Sequence, residues 1–327
     1  MATTHLTLSP AEYDDFARSA FVDEALGLPD GVAAIVIEGR APTIAAPRAL
    51  PFVLIAVSDD PEGDDGPDGA DVILSEAALE GALAAIQANP IAATSLAVHL
   101  RHLGPDVEAG LAMESAVYSA LQAGPEFARW RESAPHEPHP DASDHSGPPT
   151  VAIRRDGSLL TITLDRPHRH NAISTRLRDD LMAALQLAVS DDSINEVELR
   201  GNGPSFCSGG DLGEFGLRSD PATAHHTRLA RSPARLVHRL RHRITAHVHG
   251  AAMGGGIELA AFAGWVVAHP DTQIALPEVG LGLIPGAGGT VSITHRVGRQ
   301  RTLELALASH PIDALTALRW GLVDEVR

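Results

Sequence analysis

The 327-residue chain carries 25 basic against 42 acidic side chains, a formal charge of −17, with 44% hydrophobic and 4% aromatic residues. That acidity excludes nucleic acid and an anionic membrane surface as main partners, because both recruit a basic footprint. Every basic side chain is an arginine, which excludes a Schiff-base lysine, a Ser-Lys dyad and a P-loop lysine together.

The length predicts two domains. Cys207 is the only cysteine, so no intrachain disulfide or Cys-rich zinc site is expected. The opening MATTHLTLSPAEYDDFAR lacks a basic segment followed by an apolar run, and no signal peptide is expected. No stretch reaches the ~18 apolar residues of a membrane span. A cytoplasmic protein that engages neither nucleic acid nor membrane is the expectation.

In chain order, VAAIVIE (32–38) and PFVLIAVS (51–58) read as short buried strands. The stretch DDPEGDDGPDGAD, Asp59 to Asp71, reads as an acidic surface loop without EF-hand spacing. Ser75-Glu76-Ala77-Ala78 is a capping pattern that opens a helix to about Ala88, and Pro90 permits a new start for IAATSLAVHLRHL. DVEAGLAMESAVYSALQ and PEFARWRES follow with helical periodicity. Residues 134–149, APHEPHPDASDHSGPP, hold almost nothing that can pack and read as a flexible linker. The organisation expected is an N-terminal domain over 1–133, the linker over 134–149, and a second domain over 150–327.

In the second domain VAIRRDGSLLTITLD reads as a hairpin turning at Asp156-Gly157, TRLRDDLMAALQLAVS (175–190) as an amphipathic helix, and EVELRG (196–201) as a strand. HRITAHVHG (242–250) is a strand, and GIELAAFAGWVVA passes from helix to strand. Repeated β-then-α units predict an α/β fold with a mainly parallel sheet.

Three glycine-rich segments carry the chemistry. The first, Ser205-Phe206-Cys207-Ser208-Gly209-Gly210-Asp211-Leu212, follows a strand and precedes an expected helix. The second, from His249 to Leu259, again ends a strand in glycines and opens a helix, whose free N–H groups favour negative charge. The third is LPEVGLGLIPGAGGT, Leu276 to Thr290. Alone, each is compatible with a tight turn. Gly280-x-Gly282 is no dinucleotide fingerprint, since the spacing breaks at Pro285. No G-x-S-x-G elbow appears. The 17 histidines form no HExxH and no metal-ligand spacing, so no metal is expected. Cys207 reads as a small core residue.

In their order, FCSGGDL, GAAMGGGIELA and LPEVGLGLIPGAGGT closely resemble the crotonase (enoyl-CoA hydratase/isomerase) family. So do LDRPHRHNAIS (164–174) and the closing VGRQRTLELALASHPIDALTALRWGLVDEV. The resemblance covers about 150–327 and implies a crotonase-like spiral of β-β-α units. It implies that the backbone N–H groups of Gly210 and Gly255 form an oxyanion hole for an acyl-CoA thioester, each donor supplying about 3–4 kcal/mol. It implies that Glu258 and Glu278 hold a water between them, Glu258 deprotonating it and Glu278 delivering the α-proton. It places CoA against Arg169, Ala172, Ser208, Asp211 and Leu212, and gives Arg166 a structural role. The implied activity is hydration of a 2-enoyl-CoA by a lyase with no cofactor beyond its acyl-CoA substrate. Isomerisation on the same site and a non-catalytic acyl-CoA-binding subunit are the alternatives.

The chain departs from the family pattern at both ends. Family members carry helices beyond the GLVDEV-like segment that help build the oligomer and close the acyl pocket; here Val326-Arg327 directly follow Gly321-Leu322-Val323-Asp324-Glu325. The stretch GLAMESAVYSALQAGPEFARWRES (110–133) resembles that helical tail. The N-terminal, helix-rich α/β domain is therefore read as a degenerate crotonase-like unit whose helices replace the tail. A homo-oligomer, trimer or hexamer, is expected from the family.

Overall fold

The computed structural model describes residues 5–19, 22, 31–39, 44, 50–60, 69–133, 148–217, 220–308 and 310–327. All of the expected linker but its last two residues, and 61–68 of the acidic loop, lie outside them.

The chain opens with β1 (His5–Leu8) and α1 (Pro10–Arg18). Ser9 and Glu12 form a reciprocal capping box at the start of α1, with Pro10 in its first turn. β2 (Ala34–Ile37), β3 (Val53–Val57) and β4 (Val72–Leu74) complete a four-stranded sheet in the order β1-β2-β3-β4, parallel throughout. Both faces are covered, as the unbroken apolar runs require. Ala34, Val36, Val53 and Ile55 face the main core, while Ile35, Ile37, Leu54 and Ala56 face Tyr13 of α1 and Phe52. The period of two along each strand divides one apolar run between two cores.

Four helices follow: α2 (Glu76–Ala88), α3 (Pro90–His102), α4 (Val107–Gln122) and α5 (Pro125–Ser133). Ser75 adopts the extended N-cap backbone of α2, but its hydroxyl accepts no capping bond. Position N3 is Ala78, so no reciprocal Glu or Gln completes the box. The first amides of α3 are satisfied instead from α5, where Glu126 accepts from Ile91 N (2.7 Å) and Ala92 N (2.9 Å).

The second stretch begins with the antiparallel hairpin β5 (Val151–Asp156) and β6 (Leu159–Leu164). Asp156 pairs with Leu159, so the turn falls on Gly157-Ser158, one residue later than the sequence suggests. Next come α6 (Thr175–Ser190), β7 (Glu196–Gly201), α7 (Pro221–Ala230), α8 (Pro233–Arg239) and β8 (Ile244–Val248). They are followed by β9 (Ala251–Met253), α9 (Gly255–Ala260), β10 (Trp265–Ala268) and β11 (Gln273–Ala275). The final elements are α10 (Gly289–Leu307, broken at Gly298), β12 (Ile312–Asp313), α11 (Ala314–Trp320) and β13 (Glu325–Val326). A six-stranded sheet runs β13-β10-β8-β7-β6-β5, parallel except at the hairpin, and a second sheet runs β12-β11-β9.

The main core is contiguous from Ala33 to Val323, so the buried residues of both stretches pack as one body. Helix α10 touches α2, α3, α4 and β4. A buried ionic knot crosses the same seam: Asp71 accepts from Arg101 Nε (2.8 Å) and from Arg299 Nη1 of α10 (3.2 Å). Among the described residues no single helix is long and apolar enough to cross a membrane.

Candidate active site

The loops that leave β7 and β9 converge on one cavity of about 580 Å³, lined by Gly210, Asp211, Gly255, Glu258 and Glu278. Gly210 and Gly255 are neighbours, since a Cβ on Gly255 would lie 3.9 Å from Gly210 N. Cys207 pairs with Ala252 and Ile173 with Gly210 in isolated bridges, which fix the two loops side by side. Among the described residues no acceptor takes the N–H of Gly210 or Gly255. Gly255 begins α9, where an amide has no intrahelical partner. The Gly209-Gly210 turn opens no full helix, contrary to the sequence expectation. Only a 3₁₀ turn (Leu212–Glu214), capped by Asp211, follows it, and the next helix is α7. The dipole of a helix is therefore available at Gly255 and not at Gly210.

Glu258 (1% exposed) and Glu278 (8% exposed) are buried carboxyls with opposite surroundings. Glu258 Oε2 accepts from Ala287 N (2.7 Å) and Gly289 N (2.8 Å), the amides that open α10. Burial pushes its pKa up to about 7, with those two donors holding it down. Glu278 Oε2 is buried and has no hydrogen-bond partner among the described residues. Burial first, and then the charge of Glu258, push Glu278 well above the usual carboxylate range. Of the two, Glu258 is the stronger acid and Glu278 the weaker. Their approach depends on Gly254, which has φ +45° and where a Cβ would fall 2.2 Å from Glu278 Oε1.

A third carboxyl, which the sequence reading did not single out, completes the cluster. Glu114 of α4 accepts from Gly288 N (2.8 Å), Thr290 N (3.0 Å) and Thr290 Oγ1 (2.6 Å). Four successive amides are therefore dealt alternately to two carboxyls, residues 287 and 289 to Glu258 and residues 288 and 290 to Glu114. His99 Nε2 is hydrogen-bonded to Thr290 Oγ1 (2.8 Å), and burial lowers the imidazole to about 4, which keeps it neutral. Burial and the charge of Glu258 raise Glu114 to about 8 against its three donors. The signal for Glu114 was present: Leu111, Glu114, Tyr118 and Leu121 lie at i, i+3, i+7 and i+10, so a glutamate occupies the buried face of α4.

Helix α4 also supplies cavity wall through Tyr118 and Gln122, and α7 supplies Thr227 and Arg228. Of the residues expected near CoA, Asp211 alone lines this cavity. Its carboxylate is committed to Arg166 Nη1 (2.7 Å), with Arg169 Nη2 at 3.5 Å. Arg166 is buried and also donates to Ala172 O (3.0 Å), the structural position expected of it. Arg169 is about one-third exposed, Ala172 is buried, Ser208 donates its N–H to His170 O, and Leu212 is exposed. These four gather near Asp211, outside the cavity lining. Cys207 is wholly buried with its thiol pushed up to about 12.

A mixed α/β chain with glycine loops after β7 and β9 and buried glutamates on the next two segments defines the crotonase class. The family model described as enoyl-CoA hydratase/isomerase matches residues 154–327, and the chain belongs to that family. It is 36% identical over 176 residues to 2,3-dehydroadipyl-CoA hydratase of Escherichia coli K12, covering 54% of this chain and 68% of the relative. It is 37% identical over 174 residues to the enoyl-CoA isomerase/hydratase fer4 of Mycosarcoma maydis, covering 50% and 64%. The chain thus spans about two thirds of the length of these relatives. The crystal structure of enoyl-CoA hydratase from Thermoplasma volcanium GSS1 superposes with a TM-score of 0.51 at 34% identity, over 55% of this chain and 72% of that one. The family match begins at residue 154, so Glu114, Tyr118 and Gln122 lie outside it.

Proposed function

We propose that the chain is an enoyl-CoA hydratase that adds water across the double bond of a 2-enoyl-CoA. The observation that carries this reading is the inequality of the two carboxyls in one cavity. Glu258 is held as a carboxylate by two amides, and Glu278 keeps a proton on a side chain with an unpartnered oxygen. Hydration needs one base and one acid at the same place.

The thioester oxygen accepts from the N–H groups of Gly210 and Gly255. Glu258 takes a proton from water as its oxygen bonds to the β-carbon, and the π electrons move onto the thioester oxygen as an enolate. Glu278 then gives its proton to the α-carbon. The site now holds a protonated Glu258 beside an ionised Glu278. Since Glu278 is the weaker acid, the proton returns to it and the starting state is restored. Two amide donors at the developing charge supply about 3–4 kcal/mol each. CoA reaches the cavity past Arg169, Ala172, Ser208, Asp211 and Leu212, and helices α4 and α5 serve as the wall that C-terminal helices form in the family.

The test is loss of enoyl-thioester absorbance with crotonyl-CoA. Glu258→Gln and Glu278→Gln are each expected to lower kcat by about 10²- to 10⁴-fold. A wild-type protein that binds crotonyl-CoA, leaves its absorbance intact and converts a 3-enoyl-CoA to the 2-enoyl isomer would replace hydration by isomerisation.

A further inference from the structure

A second cavity of about 170 Å³ opens from the first and shares Ile173, Arg178, Arg228, Gly286 and Ala287 with it. Asp211 lines only the first, so the extension leads away from the side where Arg166 and Arg169 sit. It is the space open to the far end of an acyl group whose thioester rests on Gly210 and Gly255.

Leu111, Leu229, Pro233 and Leu259 give the extension an apolar surface that suits an acyl chain, and four arginines stand among them: Arg178, Arg228, Arg231 and Arg235. Three of them have carboxylate partners. Arg178 and Arg231 share Asp179 (2.9 and 3.7 Å), and Arg235 pairs with Glu108 (2.6 Å). Arg228 is different. Its Nε and Nη2 reach only the hydroxyls of Ser115 (3.2 Å) and Ser119, and its guanidinium lies 4.6 Å over the ring of Tyr118. No carboxylate among the described residues lies within ion-pair distance of it. Glu114 is near enough to act on it through its field, but its oxygens are taken by Gly288 and Thr290. Two serines and a tyrosine ring thus hold a half-buried guanidinium in place at the edge of both cavities, with Nη1 uncommitted among the described residues. A fixed fork of N–H donors without a counter-charge fits a carboxylate from the ligand.

We propose that Arg228 receives a carboxylate at the distal end of the acyl chain, so that the substrates are CoA thioesters of dicarboxylic enoic acids. This rests on the acyl-CoA reading above, and the test separates the two. Calorimetric binding is compared for glutaryl-, adipoyl- and suberoyl-CoA against pentanoyl-, hexanoyl- and octanoyl-CoA. These saturated thioesters report the subsite without any turnover. The wild type is expected to favour the carboxylate member of at least one pair by about 10- to 100-fold, the worth of one hydrogen-bonded contact between charged groups. Arg228→Gln should bring that ratio to about one, and Arg228→Lys should leave a reduced preference that shrinks with added salt. Using the ratio cancels a general loss of affinity in either variant. No preference in the wild type at any length, or a preference that survives in Arg228→Gln, overturns the subsite. A preference that collapses in Arg228→Gln sustains it even if no enoyl-CoA is hydrated, in which case the hydratase reading alone falls.

Discussion

Glu114→Gln tests whether Glu114 positions the carboxyl cluster, because only a positioning role predicts a shift in the acidity of Glu258. Glu114 offers two oxygens to three donors, Gly288 N, Thr290 N and Thr290 Oγ1. Glutamine offers one oxygen and sets an NH₂ group against a remaining N–H. In its better orientation the oxygen keeps both Thr290 donors and the Gly288 amide is left facing a donor. A buried unsatisfied donor costs about 1–3 kcal/mol, and the segment relieves that cost by moving. The amides of residues 287 and 289, which alternate with those of 288 and 290, then move off Glu258. Losing one hydrogen bond to a charged acceptor is worth about 1.5–3 kcal/mol, or about 1–2 pH units. The rising limb of the kcat/KM profile, which begins from a Glu258 value of about 7, should shift upward by that amount. Glu114 titrates above Glu258 and is still neutral while Glu258 ionises, so without a positioning role its replacement would leave the limb where it is. The assay is hydration of crotonyl-CoA between pH 5.5 and 9 for both proteins. A limb that moves down or stays put refutes the positioning role.

Gly289→Ala would place a Cβ 2.4 Å from Glu258 Cγ. On the hydratase reading it should cut kcat by about 10²-fold or more with a smaller change in KM, since the proposed general base and not the binding surface is displaced. Asp71→Asn removes the carboxylate from Arg101, whose side chain is 5% exposed. It should destabilise the fold by about 3–5 kcal/mol, read as a lower urea midpoint at unchanged slope. Stability should fall between about pH 6.5 and 8.5. Glu258 and Glu114 rise from 4.5 to about 7 and about 8 on folding, so the native state holds protons that the unfolded chain releases. Their contribution is complete below pH 4.5 and is lost through the folded values. His99, lowered from 6.5 to about 4, works the other way but is finished by pH 6.5. A melting temperature that rises across pH 6.5–8.5 would contradict this, and Glu114→Gln should flatten the fall.

What the sequence made legible was local. The bounds of α6 and β7 follow from periodicity within one segment, and Glu258 and Glu278 sit inside glycine-rich motifs that mark their loops. What stayed hidden depends on distance along the chain. Glu114 meets the amides of Gly288 and Thr290 across 174 and 176 residues, and Arg228 meets Ser115 across 113. No pattern within one element states that α4 will lie against α7. The three-residue strands β9 and β11 are too short to express a period of two. The helix expected after Gly210 failed for a local reason: Asp211 turns its carboxylate onto Gly213 N and the Arg166 guanidinium, which closes a single 3₁₀ turn.

The alternation of amides at the start of α10 bears on what the functional unit is. One carboxyl on these four amides comes from α9 and the other from α4, which precedes the family match altogether. Both carboxyls accept from this one segment, so each bears on where its amides point. The same helix α4 carries Tyr118, over which Arg228 is stacked, and Gln122 in the cavity wall. Glu258 and Glu278 are thus supplied by residues 150–327, while residues 76–133 supply a second grip on the amides that hold Glu258 and, through Tyr118 and Gln122, part of the cavity wall. Changes in α4 that touch neither Glu258 nor Glu278 should therefore act on pH dependence through Glu114 and on acyl preference through Tyr118, two separable effects from one helix face.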